Sequence, residues 1–291
     1  MATFSKKVAK ICKKGIWIGL DTLLLLLACG VAGILHFVIR PRKSGFFCDD
    51  TNIKYPNRDD TVSNEVLLVV GFVIPVTFFY VVELASESHK SSKNYICVSL
   101  VEVCRVTGIY AFGAMLTIIT TFIGKLSLGQ LRPNFFDVCR PNISHIVCER
   151  GHNFVTNYTC TSGYSENAID DVFKAFPSGH SAFSSYSMVF LALYLQVRLF
   201  VKFSILFKPL LQIMALGLAY YFSLSRISDY KHHWSDCLAG SLLGIAVAFY
   251  TAYRIAGLFE RKEIPTNSTI VSHAELEEQE QLFQEEAEDR L

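Results

Sequence analysis

The sequence predicts an all-α integral membrane protein, a bundle of six transmembrane helices, and three observations carry that expectation. The 291 residues are 51% hydrophobic and include 23 Phe and 13 Tyr, too apolar for a soluble domain of this length. Apolar runs near the roughly 20 residues needed to cross a bilayer recur along the chain. Charge gathers between those runs rather than alternating within them. The net charge of +1 gives no reason to expect nucleic acid or an acidic partner.

The chain divides into a basic N-terminus over 1–14, a six-span core over 15–260 and an acidic tail over 261–291. The first segment carries Lys6, Lys7, Lys10, Lys13 and Lys14 with no acid. The apolar run from Ile16 to Ile39 follows, too long for a signal-peptide core and with no small-residue cleavage site after it, so it reads as a retained helix. Asp21 near its start is the one misfit. Further spans are expected at Val66–Ala85, Val106–Ile123, Ala182–Leu199, Leu206–Leu224 and Cys237–Leu258. Lys208 and Pro209 open the fifth, where proline suits a first helical turn. The tail from Glu275 to Asp289 is strongly acidic with Phe283 its only aromatic, a solvated composition without core-forming content. No internal repeat stands out.

Six spans put both termini on one side and the loops 40–64, 124–181 and 225–236 on the other. Lys and Arg counts nearly balance between the two sides. The acid-free N-terminus therefore decides for cytosolic termini, since Asp49, Asp50, Asp59 and Asp60 offset the basic residues of the first loop. The sequons at Asn142 and Asn157 fall in the long loop so assigned outside, and so do Cys139, Cys148 and Cys160, with Cys48 in the first loop. Four cysteines allow two disulfides in three pairings; the nine in the chain match no zinc spacing. A third sequon, Asn267, lies on the cytosolic side and is expected to stay bare.

Three polar islands border spans on the outer face: Lys125–Pro133 (KLSLGQLRP), Phe176–His180 (FPSGH) and Ser225–Asp236 (SRISDYKHHWSD). Charge at a membrane surface is costly unless it lines a polar site. Lys125, Arg132 and Arg226 together suit a phosphate dianion, arginine binding its oxygens in pairs and lysine as a point charge. Ser178 and Gly179 open a helix whose N–H groups and dipole can join that anion site. If the end of the third island is helical, His232 and Asp236 stand at i and i+4, so the carboxylate can hold one imidazole nitrogen and leave the other free. No carboxylate cluster accompanies the histidines as a metal site would require, so neither metal nor other cofactor is expected.

Together K-x6-RP, PSGH and SR-x5-H-x3-D resemble, in order and spacing, the signature of the type 2 phosphatidic acid phosphatase superfamily. With CDDTNIKYPNRDDTV at Cys48–Val62, the chain looks like the animal lipid phosphate phosphatases within it, over about residues 15–260. The resemblance implies phosphate binding by Lys125, Arg132, Ser178, Gly179 and Arg226. It also implies His232 as the nucleophile, Asp236 as its orienting partner, and His180 as the acid that protonates the departing alcohol and later activates water. The implied substrates are phosphatidate, lysophosphatidate, sphingosine 1-phosphate and ceramide 1-phosphate, hydrolysed at the extracellular or lumenal face. The plasma membrane is the expected location, with endoplasmic reticulum or Golgi as alternatives, and a homo-oligomer is left open. The competing readings are a superfamily phosphatase for polyprenyl diphosphate or sugar phosphate, and a non-catalytic lipid-phosphate binding or uptake protein.

Overall fold

The computed structural model describes residues 2–88, 95–142, 154–201 and 203–259. Contacts divide the chain into two units, Met1–Leu258 and Phe259–Leu291. Phe259 is the described residue of the second, so the acidic tail and Asn267 lie outside the described residues.

The described residues of the first unit are mostly helical. α1 (Ala2–Phe37) is followed by a second rod made of α2 (Asn64–Leu68), a π-helical turn at Val69–Val73 and α3 (Ile74–Ser88). Then come α4 (Tyr95–Leu128), the short α5 (Phe135–Cys139) and α6 (Glu166–Asp171), α7 (Gly179–Arg198), α8 (Phe207–Ser228) and α9 (Trp234–Tyr250), which runs on into a π-helical turn at Thr251–Ile255. The expected spans all lie along these rods. α1 and α4 begin well before Ile16 and Val106, because only the hydrocarbon-facing part of a helix must be apolar. In α4 the added turns are held by pairing Glu102 with Arg105 along one face. Ser63 and Ser178 cap α2 and α7 with their side chains, and Pro209 sits in the first turn of α8.

Five helical stretches among the described residues are long and apolar enough to cross a membrane: Gly19–Phe37, Asn64–Ala85, Ser99–Leu128, Phe207–Ser228 and Trp234–Ile255. The expected fourth span, α7, falls outside this set, and its position explains why. It packs against α9, α8, α4 and α3 at the centre of the bundle. Its serines 181, 184, 185 and 187 are all buried in protein. A helix that never meets lipid needs no lipid-facing side chains. α1 is the converse: Leu23, Leu26 and Leu27 are each more than 60% exposed, as a bilayer would cover them.

In lipid, apolar burial gains little over acyl chains, so helix association rests on close packing and interhelical hydrogen bonds. Both occur around α7. Gly240 and Gly244, spaced i and i+4 on α9, bring it against α7 so closely that a Cβ at either would run into the Ser178 or Ala182 carbonyl oxygen. Tyr110 donates to the Gly71 carbonyl and meets Ser187 at 2.8 Å, while Tyr186 donates to the Tyr110 carbonyl at 2.7 Å.

One end of the bundle, where α1, α4 and α8 finish and α2, α7 and α9 begin, carries a second small core. Phe46, Ile53, Leu131, Phe135, Val138, Val155, Val172 and Phe173 are buried there. β1 (Phe46–Phe47) pairs antiparallel with β2 (Phe154–Val155), with Phe46 opposite Val155. A Cys139–Cys160 disulfide closes the same region, which selects one of the three expected pairings; Cys48 is disulfide-bonded as well, and Cys148 lies outside the described residues.

Candidate active site

All three polar islands meet at this capped end, and backbone hydrogen bonds knit them. At the C-terminus of α8 the chain wraps over its own last turn, so that the Arg226 carbonyl accepts from the amides of both Lys231 and His232 at 3.1 and 3.2 Å. That wrap is what the SR-x5-H spacing encodes: it brings the arginine and the histidine side by side. The Ser178 amide donates to the Asp236 carbonyl at 3.0 Å, tying α7 to α9. The first island joins them through Arg132 N to Val172 O at 2.8 Å and Ala175 N to Gln130 O at 3.1 Å.

His232 is 2% exposed, and its Nδ1 lies 2.6 Å from the Ala175 carbonyl oxygen. A carbonyl only accepts, so Nδ1 carries the proton and Nε2 presents its lone pair. Burial pushes the imidazole down to about 3; Asp236 pulls the other way, and the charges of Arg132, Lys125 and Arg226 lower it further. The ring is therefore neutral at physiological pH, as a nitrogen nucleophile must be.

Asp236 is not the closest partner of that ring. Helix α9 starts at Trp234 with His233 as its N-cap, so His232 precedes the helix and the expected i, i+4 stacking gives way to a capping arrangement. Asp236 Oδ2 accepts from the His233 amide at 2.9 Å and stands 3.1 Å from His233 Nδ1, but 3.8 Å from His232 Nδ1. Gln130 Nε2 holds its other oxygen at 3.2 Å. The carboxylate thus fixes the loop that carries His232 and faces the ring electrostatically, while the Ala175 carbonyl sets its orientation.

His180, the second residue of α7, lies against the Val62 backbone within electrostatic reach of Arg226, Lys125 and Asp60. Its Nε2 is buried without a hydrogen-bond partner. Arg226 and Arg132 are 2% and 8% exposed, and each leaves its Nε buried and unpartnered. Lys125 neighbours Arg132 and Arg226, and its Nζ is 3.7 Å from where a Cβ on Gly179 would stand, so Gly179 leaves room for the ammonium. Ser178 is fully buried; its hydroxyl accepts from the Ser181 amide at 3.4 Å and so builds the helix start rather than standing free. Among the described residues no three His, Cys, Asp or Glu side chains gather as they would around a metal ion.

Residues from the first loop, absent from the sequence-based site, cross this end as a strap. Tyr55 stacks on Tyr230, with Arg58 over the same ring at 4.5 Å. Asn57 Oδ1 accepts from Asn134 Nδ2 and Lys231 Nζ, both at 2.8 Å. Thr61 donates to Asp229 from its amide at 2.8 Å and its hydroxyl at 2.6 Å. Arg226 Nη2 pairs with Asp60 at 3.0 Å, and Arg132 Nη2 pairs with Asp171 at 2.9 Å. The protein packed around the Asp171 carboxyl raises it, but Arg132, Lys125, Lys174 and His232 together hold it below its ordinary value, so it is charged, and half of its side chain remains open to water. The acids Asp59 and Asp60 were visible only as offsets to loop charge; nothing in their spacing pointed to Arg226, 166 residues further on. The sequon asparagines Asn142 and Asn157 are both exposed in this capped region.

Comparisons with known proteins identify the family of the chain. The model of the PAP2 superfamily matches residues 106–259, which contain all three islands. A Drosophila melanogaster protein whose name assigns it provisionally as a phosphatidate phosphatase is 41% identical over 264 residues, covering 84% of this chain and 69% of its own. Phospholipid phosphatase 1 of Rattus norvegicus is 36% identical over 273 residues, 90% of this chain and 93% of that protein. Phospholipid phosphatase 2 of Bos taurus is 37% identical over 260 residues, 86% of each chain. No solved structure matches the chain. With that family match across its islands and relatives that align over most of its length, the chain belongs to the PAP2 superfamily and is one of its phosphatases.

Proposed function

We propose that this protein hydrolyses lipid phosphate monoesters, phosphatidate and its lyso, sphingoid and ceramide counterparts, through a phosphohistidine on His232. One observation carries the reading. Among the described residues, every buried side-chain nitrogen without a hydrogen-bond partner belongs to Arg132, His180 or Arg226. Buried donors are normally satisfied, and an unmet one costs about 1–3 kcal/mol. The Nε–H groups of Arg132 and Arg226 await an acceptor with several oxygens, which a phosphoryl group supplies, and His180 Nε2, whose ring donates from its other nitrogen to the Val62 backbone, is left beside them to exchange a proton.

In the first step His232 Nε2 attacks phosphorus and the P–O ester bond breaks, its electron pair leaving with the lipid oxygen, which takes a proton from His180. Burial, Arg226 and Lys125 hold that imidazole down to about 3, so it acquires this proton as the substrate enters, from the phosphate monoester monoanion, whose charge offsets the two cations. In the second, His180 removes a proton from water, the water oxygen attacks phosphorus, and the P–N bond breaks to return His232 and inorganic phosphate. Lys125, Arg132, Arg226 and the amides at Gly179 stabilise the equatorial oxygens in both steps. Ser178 contributes by fixing the start of α7. Because these cations hold the charge that a metal ion would otherwise neutralise, turnover is expected to persist in a chelator.

The face that the site opens to is proposed as extracellular or lumenal. A disulfide in the cap forms in an oxidising compartment. The same region exposes Asn142 and Asn157 as glycan acceptors, which leaves the termini cytosolic, most naturally at the plasma membrane. Release of phosphate from phosphatidate by the purified protein in EDTA tests the function. Binding without release would identify a lipid-phosphate carrier instead. Glycosidase shifts lost in Asn142→Gln and Asn157→Gln test the face.

A further inference from the structure

The two arginines that the proposed reaction assigns to the phosphoryl group are also paired with acids of their own chain. Arg226 gives Nη2 to Asp60 at 3.0 Å, and Arg132 gives Nη2 to Asp171 at 2.9 Å. The pairs share a construction. Each arginine side chain is buried, 3% and 9% exposed, whereas the carboxylate on its Nη2 is 37% and 50% exposed. Arg226 Nη1 also faces the buried Asp229 at 3.8 Å, an acid that Thr61 already holds through two hydrogen bonds and that stays in place. Each acid comes from outside the islands, Asp60 from the first-loop strap and Asp171 from α6. Asp60 also stands 4.0 Å from Lys231 Nζ, a fourth cation beside His232. A buried guanidinium facing a water-exposed carboxylate can exchange that carboxylate for another anion at little cost, since the displaced acid is solvated where it stands.

We infer that Asp60 and Asp171 are placeholder anions: each holds one phosphate-binding arginine in position while the site is empty and yields it when the phosphoryl group enters. The consequence is twofold. The guanidinium forks are kept aimed without a ligand, so less ordering is required on binding. The acids also compete with bound inorganic phosphate for the same donors, which keeps product affinity low and hastens release. They are positioning residues that act through Arg226 and Arg132 and take no part in bond making.

This inference rests on the phosphate-site reading above, and its test is a binding measurement independent of turnover. Inorganic phosphate is titrated calorimetrically into the purified full-length protein in detergent, for wild type, Asp60→Asn and Asp171→Asn, with thermal midpoints recorded alongside. An asparagine keeps an oxygen to accept from the arginine but removes the competing charge. Phosphate is expected to bind Asp60→Asn about tenfold more tightly than wild type, and Asp171→Asn about threefold, the smaller gain following its greater exposure. Turnover should show KM and kcat falling together as product release slows. A strut that merely holds the fold would weaken phosphate binding on removal, never tighten it. Unchanged or weakened binding in both variants overturns the inference. So does loss of folding in both asparagine variants and in Asp60→Ser and Asp171→Ser, which would make the acids structural. Wild-type protein that binds phosphate but releases none from any lipid sinks the phosphatase reading alone.

Discussion

The two ends of the bundle both bury charge, and they treat it in opposite ways. At the end away from the cap, Glu83 is 2% exposed, and it accepts from the Tyr194 hydroxyl at 2.8 Å and faces Arg198 Nε at 3.7 Å. Arg198 Nη2 in turn reaches Glu102 at 2.5 Å, and Glu102 takes Arg105 at 2.7 and 3.0 Å. No nitrogen of that network is among the buried atoms left without a partner. At the capped end, Arg132, Arg226 and His180 each leave one nitrogen unmet. Charge that serves the fold is saturated by its own chain; charge that serves a ligand is left part-satisfied. The contrast separates structural from functional polarity without reference to any relative.

Substitutions can break that contrast from either side. The largest effect is expected at the capped end: Arg226→Lys and Arg132→Lys should each lose about 10²–10³ in kcat with phosphatidate, because an ammonium cannot reproduce a paired guanidinium contact. Phosphate-release assays on both variants check this, and near-normal turnover would mean that the arginines act only as a diffuse field. At the opposite end, Arg198→Ala should destabilise by about 3 kcal/mol, since it strands the buried Glu83, while the folded fraction keeps its kcat. Detergent melting curves paired with activity per folded molecule separate the two outcomes. Asp236→Asn should cost about tenfold in kcat, less than either arginine, because the Ala175 carbonyl continues to hold His232 Nδ1. A loss as deep as that of a His232 substitution would instead make the carboxylate the ring's true orienting partner.

A separate effect, on stability rather than turnover, is one of pH. His232 falls from its ordinary 6.5 to about 3 on folding. Below pH 6.5 the unfolded chain therefore takes up a proton that the folded protein refuses, and stability drops as pH falls towards 3. The expected contribution is about 2 kcal/mol between pH 7 and about pH 5. His232→Gln should remove about half of the acid-induced loss, because His180 is held down to about 3 as well and contributes similarly; melting at the two pH values reads this out, and an equally steep loss in the variant would assign the acid sensitivity elsewhere.

The sequence carried the bundle through its apolar runs and the site through charge that those runs could not explain. Lys125, Arg132, His180, Arg226, His232 and Asp236 all arrive at one end, because each island borders a span on the same side. The fourth span was expected from its length, yet its serines fit a centre-of-bundle helix that only packing reveals. Asp60 and Asp171 were unreadable as site residues, since an ion pair between distant segments has no period in sequence. The partner of His232 was unreadable for another reason: it is a backbone carbonyl, Ala175, and any residue type there would present the same oxygen. The helical pairing of His232 with Asp236 assumed a helix that starts two residues too early.

The central claim is that His232 takes the phosphoryl group and that His180 moves the protons. A nitrophenyl phosphate ester tests it directly, because its phenolate leaves without a general acid, whose help is typically worth about 10²–10⁴. With this ester, His180→Ala should phosphorylate His232 and then stall for want of a base to activate water. Rapid-quench measurement should show a burst of about one phenolate per site with acid-labile phosphate trapped on the protein. His232→Ala should show neither burst nor trapped phosphate. Phosphate trapped on His232→Ala, or a His180→Ala variant with no burst on the activated ester, would contradict the assignment of nucleophile and acid.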